Sequence, residues 1–357
     1  MDVRLTWTPH LVSLVAETSA AAGRLVDLGA AERRAEQVEA RRETARLSAR
    51  LDGSPLEAAT LEAVDAGTWQ RPAAAAAAER AGGWASALRL DVMETQDVAA
   101  LEYDNLLRAY DAEADLAQTL FDAPLETLVR LHGAICQGLV DPEAIGRPRR
   151  TEQAVHDGAQ GMVIFNPPDH EALPGLLEGL QRWLRGDGTE GSAAFPAPVA
   201  AAIVHERLLQ WQPFEAGNGR LARAAARLVL RARAMDPCGL AVPERQWAAD
   251  PGGYYGEVAA TIRRRDDLGP WVERCLEALA AALDDVVARA RPAVVRPSER
   301  AIAQWERLQP GEVITVAEYA QRTGSSRETS WADLRALMVD GRLAREGRSL
   351  GRRFRRV

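Results

Sequence analysis

Residues 212–223 read QPFEAGNGRLAR and lie between two apolar runs, 200–209 and 224–230, both spaced as helices. The tripeptide Gly217-Asn218-Gly219 leaves backbone N–H groups uncovered just before a helix expected to begin near Arg220. Unpaired amides and the positive helix end therefore converge on one spot. Arg220 and Arg223 are three residues apart, so both guanidinium groups reach oxygens held at that helix start. These residue types in this order make a site for phosphate or another anion.

The same stretch resembles the signature of Fic (filamentation induced by cAMP) proteins, HPFx(D/E)GNGRxxR. Pro213, Phe214, Gly217, Asn218, Gly219, Arg220 and Arg223 match it. The family's histidine is Gln212 here, and its metal-holding acid is Ala216. The resemblance implies transfer of AMP from ATP to a protein hydroxyl, with Gln212 at the place of the base. Residues 48–53, SARLDG, are similar to the family's inhibitory motif (S/T)xxxE(G/N). By that likeness Ser48 and Asp52 form a lock on Arg223, although aspartate is one methylene shorter than the usual glutamate. Without the likeness the two are polar residues at a helix end. Residues 158–168, GAQGMVIFNPP, read as a hairpin. The resemblance makes it a flap on which Met162, Val163, Ile164 and Phe165 dock a target protein by strand addition; a plain surface hairpin is the other reading.

Composition limits the remaining choices. The chain has 357 residues, with 47% hydrophobic and only 5% aromatic content, and long Ala/Leu/Arg/Glu tracts. A mainly α fold follows, and the resemblance implies that it is a Fic-type helical bundle with a small β-hairpin and a C-terminal winged helix-turn-helix. All 44 basic residues are arginine, which removes lysine nucleophiles and Schiff bases. The net charge of −7 argues against general nucleic-acid affinity but leaves room for a local basic patch. Three cysteines without CxxC spacing read as buried thiols, and no long apolar segment or basic leader is visible, so a cytoplasmic protein without a membrane partner is expected. His132 and Cys136, four apart, could share a helix face, but with no further ligand nearby they read as packing.

Along the chain, residues 1–120 are expected to form an N-terminal helical region. It carries the inhibitory-like helix at about 30–54 and an alanine-tract helix at 73–78. Residues 121–290 form the expected Fic core, in which His205 sits two turns before Gln212, too far to stand in for it. Residues 291–298, with two prolines, read as a linker. Residues 299–357 resemble a winged helix-turn-helix, with a turn at Gly324-Ser325-Ser326. Its basic tail holds Arg342, Arg345, Arg348, Arg352, Arg353, Arg355 and Arg356. Such a unit grips DNA phosphates or serves in dimerisation, so DNA or a second copy is the expected partner.

Glutamine cannot accept a proton near neutrality, and loss of a general base costs ~10² to 10⁴ in rate. Ala216 offers no side-chain oxygen to Mg2+. Three readings remain: a degenerate Fic protein that binds ATP, another nucleotide or another phosphate ligand with little or no transfer; a transferase using a different base; and a winged-helix regulator with the Fic core as its body.

Overall fold

The computed structural model describes residues 1–25, 28, 30–71, 95–156, 162–187, 191–290, 297–346 and 353–357. The alanine-tract helix, residues 158–161 of the hairpin, residues 291–296 of the linker, Arg348 and Arg352 lie outside them. The chain divides into two compact units, Met1–Ala290 and Arg291–Val357.

The first unit is built on two helices with almost no exposed side. In α8 (Ala197–Trp211) every residue from Pro198 onward is buried, and α9 (Asn218–Ala232) is buried from Asn218 to Leu230. Helices buried all round belong at the centre of a domain, their charged side chains paired, and the alanines at 200–202, 222 and 224–226 let the two backbones approach closely. The sequence placed the start of α9 near Arg220; it begins two residues earlier because Gly217 takes the left-handed conformation (φ 74°) that ends the turn.

Around this pair lie α1 (Pro9–Arg24), α2 (Ala30–Leu51), α3 (Ala58–Asp65), α4 (Thr95–Asp111), α5 (Glu113–Thr119), α6 (Pro124–Cys136), α7 (Leu173–Arg185), α10 (Glu244–Ala249), α11 (Pro251–Arg263) and α12 (Gly269–Ala290). α1 packs along α12, while α2 lies against α4, α9 and α10, which carries its C-terminal end over the start of α9. Helices from before residue 120 share one continuous core with α8 and α9: Leu11, Tyr103 and Leu106 belong to it as fully as Leu208 and Leu228. The Trp271 indole N–H donates to the Ala202 carbonyl at 2.8 Å and fixes α12 to α8. His205 is buried, bonded to the Tyr254 hydroxyl at 2.7 Å and surrounded by Trp247, Tyr254 and Trp271; burial holds its pKa well below the usual histidine range. It is a neutral core residue.

The hairpin pairs β1 (Val155–His156) with β2 (Val163–Phe165), antiparallel, with Val155 opposite Phe165 and His156 opposite Val163. Its first strand lies before the glycine at 158 where the sequence pattern opened.

The second unit runs α13 (Glu299–Arg307), β3 (Val313–Thr315), α14 (Val316–Thr323), α15 (Arg327–Val339), β4 (Leu343–Glu346) and β5 (Arg353–Arg356). Its sheet has the order β3-β5-β4, antiparallel throughout. A separate small core of Leu308, Ile314, Tyr319, Leu334, Leu337 and Phe354 holds it together. Buried Asp333 accepts from the Tyr319 hydroxyl, the Ser298 hydroxyl and Arg300, which ties the start of α13 to both later helices. Among the described residues no helix is long and apolar enough to cross a membrane.

Candidate functional site

The loop between α8 and α9 is fixed through its carbonyls, and this leaves its N–H side open. Gln212 caps α8 in the left-handed conformation (φ 44°) and turns the chain out of the helix. Asn218 closes the loop on itself: its Oδ1 accepts the Phe214 amide at 2.9 Å and its Nδ2 donates to the Phe214 carbonyl at 2.7 Å. The Ala216 carbonyl accepts from His132 Nε2 at 3.1 Å and from the Cys136 thiol at 3.7 Å, and the His132 ring stacks on Phe214 at 4.2 Å. A side chain at 217 would meet the Cys136 sulfur at 2.5 Å, so only glycine fits there. Burial pushes the Cys136 thiol up to about 12, so it stays protonated and donates.

His132 and Cys136 thus hold the loop by hydrogen bonds, and among the described residues no cluster of three His, Cys, Asp or Glu side chains could hold a metal. His132 Nδ1 accepts the Gly146 amide, which leaves Nε2 as the N–H donor. Burial brings its pKa down to about 4. The native ring therefore stays neutral while the unfolded chain takes up a proton near pH 6.5. The stability that His132 contributes is complete above that pH and is lost toward pH 4, at about 1.4 kcal/mol per pH unit. Thermal unfolding scanned from pH 7 to 4 should decline less steeply for His132→Gln, which keeps an amide donor for Ala216; an unchanged slope would refute this role.

A second clamp comes from Arg149, which is buried although charged, and whose pKa burial lowers. Its guanidinium donates to the carbonyls of Gln212 (2.9 Å), Thr151 (2.6 Å) and Pro168, so one side chain joins the end of α8 to both ends of the hairpin segment.

The open side of the loop faces a cleft of about 730 Å³ whose walls include Asp52, His156, Ile164, Gln212, Arg220 and Tyr255. The end of α2 enters it. Asp52 Oδ1 lies 2.6 Å from Arg223 Nη2, and its Oδ2 accepts the Arg220 backbone N–H at 3.2 Å and lies 3.4 Å from Arg220 Nε. The shorter acid reaches because α2 ends directly against α9: a Cβ at Gly219 would be 2.4 Å from Asp52 Oδ1. Ser48, one turn earlier, accepts Arg223 Nε on its hydroxyl at 2.8 Å and Arg223 Nη2 on its carbonyl at 2.7 Å. The nearby Asp52 carboxylate holds the Arg223 pKa well above its ordinary value, against the effect of burial. Arg223 Nη1 is buried without a hydrogen-bond partner among the described residues.

Ser48 and Asp52, expected near Arg223, are thus brought together with Gly219, Arg220 and Arg223. Of the hairpin residues, Met162 (61% exposed) and Val163 (52%) face solvent, Ile164 lines the cleft and Phe165 is anchored in the core. Gln212 lines the cleft, but its side-chain N–H donates back to the Leu209 carbonyl at 2.7 Å.

Sequence reasoning missed three site residues. Glu102 of α4, buried, lies 2.5 Å from Arg220 Nη1 and neutralises it. Tyr255 donates its hydroxyl to Asp52 Oδ1 at 3.0 Å. Arg149 is the third. The signal for Glu102 was an acid set among apolar residues on the buried side of its helix, where a charge needs a partner.

The family position for a Mg2+ ligand can be read from its side chains. Ala216 presents no side-chain oxygen, its carbonyl is taken by His132 and Cys136, and Glu215 turns away, accepting the Arg150 amide (3.2 Å) and the Thr151 hydroxyl (3.4 Å). The residues present do not fit a side-chain-held metal.

Comparison with known proteins places the loop in its family. Residues 122–230 match the Fic/DOC family profile. In overall fold the chain is similar to a Fic family protein from Desulfovibrio desulfuricans, with a TM-score of 0.62 and 24% identity over 100% of this chain and 98% of that one. It is also similar to a Fic domain-containing signaling protein from Bacteroides thetaiotaomicron (TM-score 0.56, 18% identity, 78% of this chain and 97% of that one) and to Fic-1 from C. elegans (0.55, 16%, 77% and 71%). The matched segment spans the clamp on α6, the hairpin, both central helices and the loop between them, and the chain accordingly carries a Fic/DOC family domain at residues 122–230.

Proposed function

We propose that this chain binds a phosphate-containing ligand, ATP or another nucleotide, on the N–H groups of Gly219 and Arg220 and the guanidinium of Arg223, and that Asp52 occupies this cradle when no ligand is bound. The supporting observation is the Asp52 carboxylate itself. It is an anion set on an amide at a helix N-terminus and on a buried arginine, where a ligand oxygen would receive the same donors. Arg220 is already neutralised by Glu102, so the charge left for a ligand once Asp52 withdraws is that of Arg223 together with the positive end of α9. Ser48 would hold Arg223 in position during the exchange.

Transfer chemistry at this site is weak or lost in this reading. Gln212 is turned onto its own helix and has no proton-accepting state near neutrality, and position 216 supplies no metal ligand. A second reading, transfer through a different base, gains from one observation: an imidazole, His156 at the end of β1, stands on the wall of the same cleft. On either reading the target protein would meet the hairpin at Met162 and Val163.

The test is a steric block. Gly219 has a helical backbone, so alanine is tolerated there, but its methyl group would fill the space against the loop amides. In a chain already lacking Asp52, pyrophosphate, AMP and ATP are expected to raise the melting temperature, and adding Gly219→Ala is expected to abolish the rise. Equal stabilisation of both variants would place the anion elsewhere and end the proposal.

A further inference from the structure

The face of α2 that ends in Ser48 and Asp52 continues back through Thr44, Arg41, Gln37 and Arg34, residues three or four apart. α9 faces it with Arg223, Arg227 and Arg231, one on each turn. The two helices run antiparallel here: Arg223 bonds to Ser48 and pairs with Asp52, and Arg227 lies 3.4 Å from the Thr44 hydroxyl. Beyond that point the complementarity stops. Arg231 has only one oxygen of buried Glu113, at 3.5 Å, while Arg227 engages the other at 3.1 Å. The next side chains of α2 are cations. Arg41 is tied to Asp111 at 2.5 Å, and Arg34 is exposed with no partner among the described residues.

These side chains line a cavity of about 290 Å³ between α2, the end of α4 and α9. Four arginines and two acids stand on its walls. Asp111 and Glu113 match Arg41 and Arg227, so the surplus of two positive charges rests on Arg34 and Arg231, one on each helix. Tyr110 adds a donor. It is 6% exposed, forms part of the wall, and its hydroxyl is buried without a hydrogen-bond partner among the described residues. Burial pushes its pKa up, so it stays protonated. The Gln37 amide on the same wall is also unbonded among the described residues. Buried donors need acceptors, and here the surrounding protein supplies none.

We propose that this cavity binds a small dicarboxylate, one carboxylate on Arg34 and the other on Arg231, and that the ligand fastens α2, the helix that delivers Asp52, to α9. A guanidinium fork matches a carboxylate in its plane. Two single charges held apart on a carbon chain suit a surplus divided between two helices. A phosphate dianion gathers its charge on one group, where Asp111 and Glu113 repel it. Val38, 49% exposed on the same wall, gives the carbon chain an apolar surface. The volume falls just below the ~300–1,000 Å³ of drug-sized pockets, which sets the ligand at a few carbons. This site goes beyond the nucleotide cradle and does not rest on it.

The full chain is scanned thermally in succinate and in glutarate, up to ~10 mM at constant ionic strength, with butyrate and inorganic phosphate as controls. A saturable rise of about 2–4 °C is expected from the dicarboxylates. Arg34→Ala removes a side chain that holds nothing in the free chain, so it should leave the unliganded melting temperature unchanged and abolish the rise. Succinate should also slow hydrogen exchange in α2 of the unaltered chain and not of the variant. Gly219→Ala alters the cradle alone and should keep the rise, so failure at one site is read separately from failure at the other. No rise with either dicarboxylate, an equal rise from butyrate or phosphate, an equal rise in Arg34→Ala, or a rise without slower exchange in α2 would each overturn the proposal.

Discussion

Asp52→Ala is expected to produce a chain that is less stable alone and strongly stabilised by phosphate compounds. Removing one partner of a buried ion pair costs about 3–5 kcal/mol because the remaining charge is left uncompensated. Arg223 is fully buried, but the Asp52 side chain keeps 15% exposure and Ser48 still accepts two bonds from the guanidinium, so about 2–3 kcal/mol is expected here. The freed donors are the Arg220 amide and Arg223 Nη2, beside Arg223 Nη1, which has no partner among the described residues. An anion that satisfies them recovers the loss: at 100 times its dissociation constant a ligand adds about 2.7 kcal/mol. The same ligands should shift the unaltered chain much less, because each must first displace a carboxylate held at 2.6 Å from a guanidinium. Asp52→Asn keeps the shape and removes the charge, and should fall between the two. Calorimetric scans with and without pyrophosphate, AMP and ATP check the ordering. A variant destabilised as described but indifferent to every phosphate compound would mean that Asp52 is a structural pair and nothing more.

The geometry of the loop could be read in advance because its parts are contiguous. Gly217, Asn218, Gly219, Arg220 and Arg223 are fixed relative to one another by a turn and one helical turn, so their spacing in sequence is their spacing in space. Ser48 and Asp52 come from 175 and 171 residues away, and only the likeness to a known motif pointed to them. Glu102, Arg149 and Tyr255 had no such guide. Each acts through a contact between elements distant along the chain, α4 with α9, the segment before the hairpin with the end of α8, and α11 with the end of α2. Periodicity gave the helices but not their neighbours. α3 went unread because Ala58–Asp65 buries no residue and has no side-chain cap, which are the two features that make a short helix visible. The start of α9 was misplaced by two residues because the decisive datum, the positive φ of Gly217, belongs to the folded backbone.

Gln212→His, introduced together with Asp52→Ala, should raise whatever nucleotidyl transfer the chain performs, by ~10² to 10⁴ if the only defect is the absent base. The conditions for that gain are partly in place. Position 212 lines the cleft, and its backbone is held from outside by Arg149 on the Gln212 carbonyl, so the residue can change while the turn stays. The bond that now turns the glutamine inward, from its side-chain N–H to the Leu209 carbonyl, is open to imidazole in one tautomer, and a ring bound there as a donor keeps its other nitrogen as the acceptor. His156 gives the experiment its second arm. If His156 is the working base, the Asp52→Ala chain transfers label from ATP before any repair, His156→Ala removes that activity while leaving the phosphate-induced thermal shift intact, and Gln212→His adds little. If no base is present, His156→Ala changes nothing and the repair gives the full gain. Silence from both arms, in a chain whose melting temperature still responds to ATP, would locate the defect at the phosphates: Ala216 and the averted Glu215 leave them without a side-chain-held metal, and binding alone would be what this site retains.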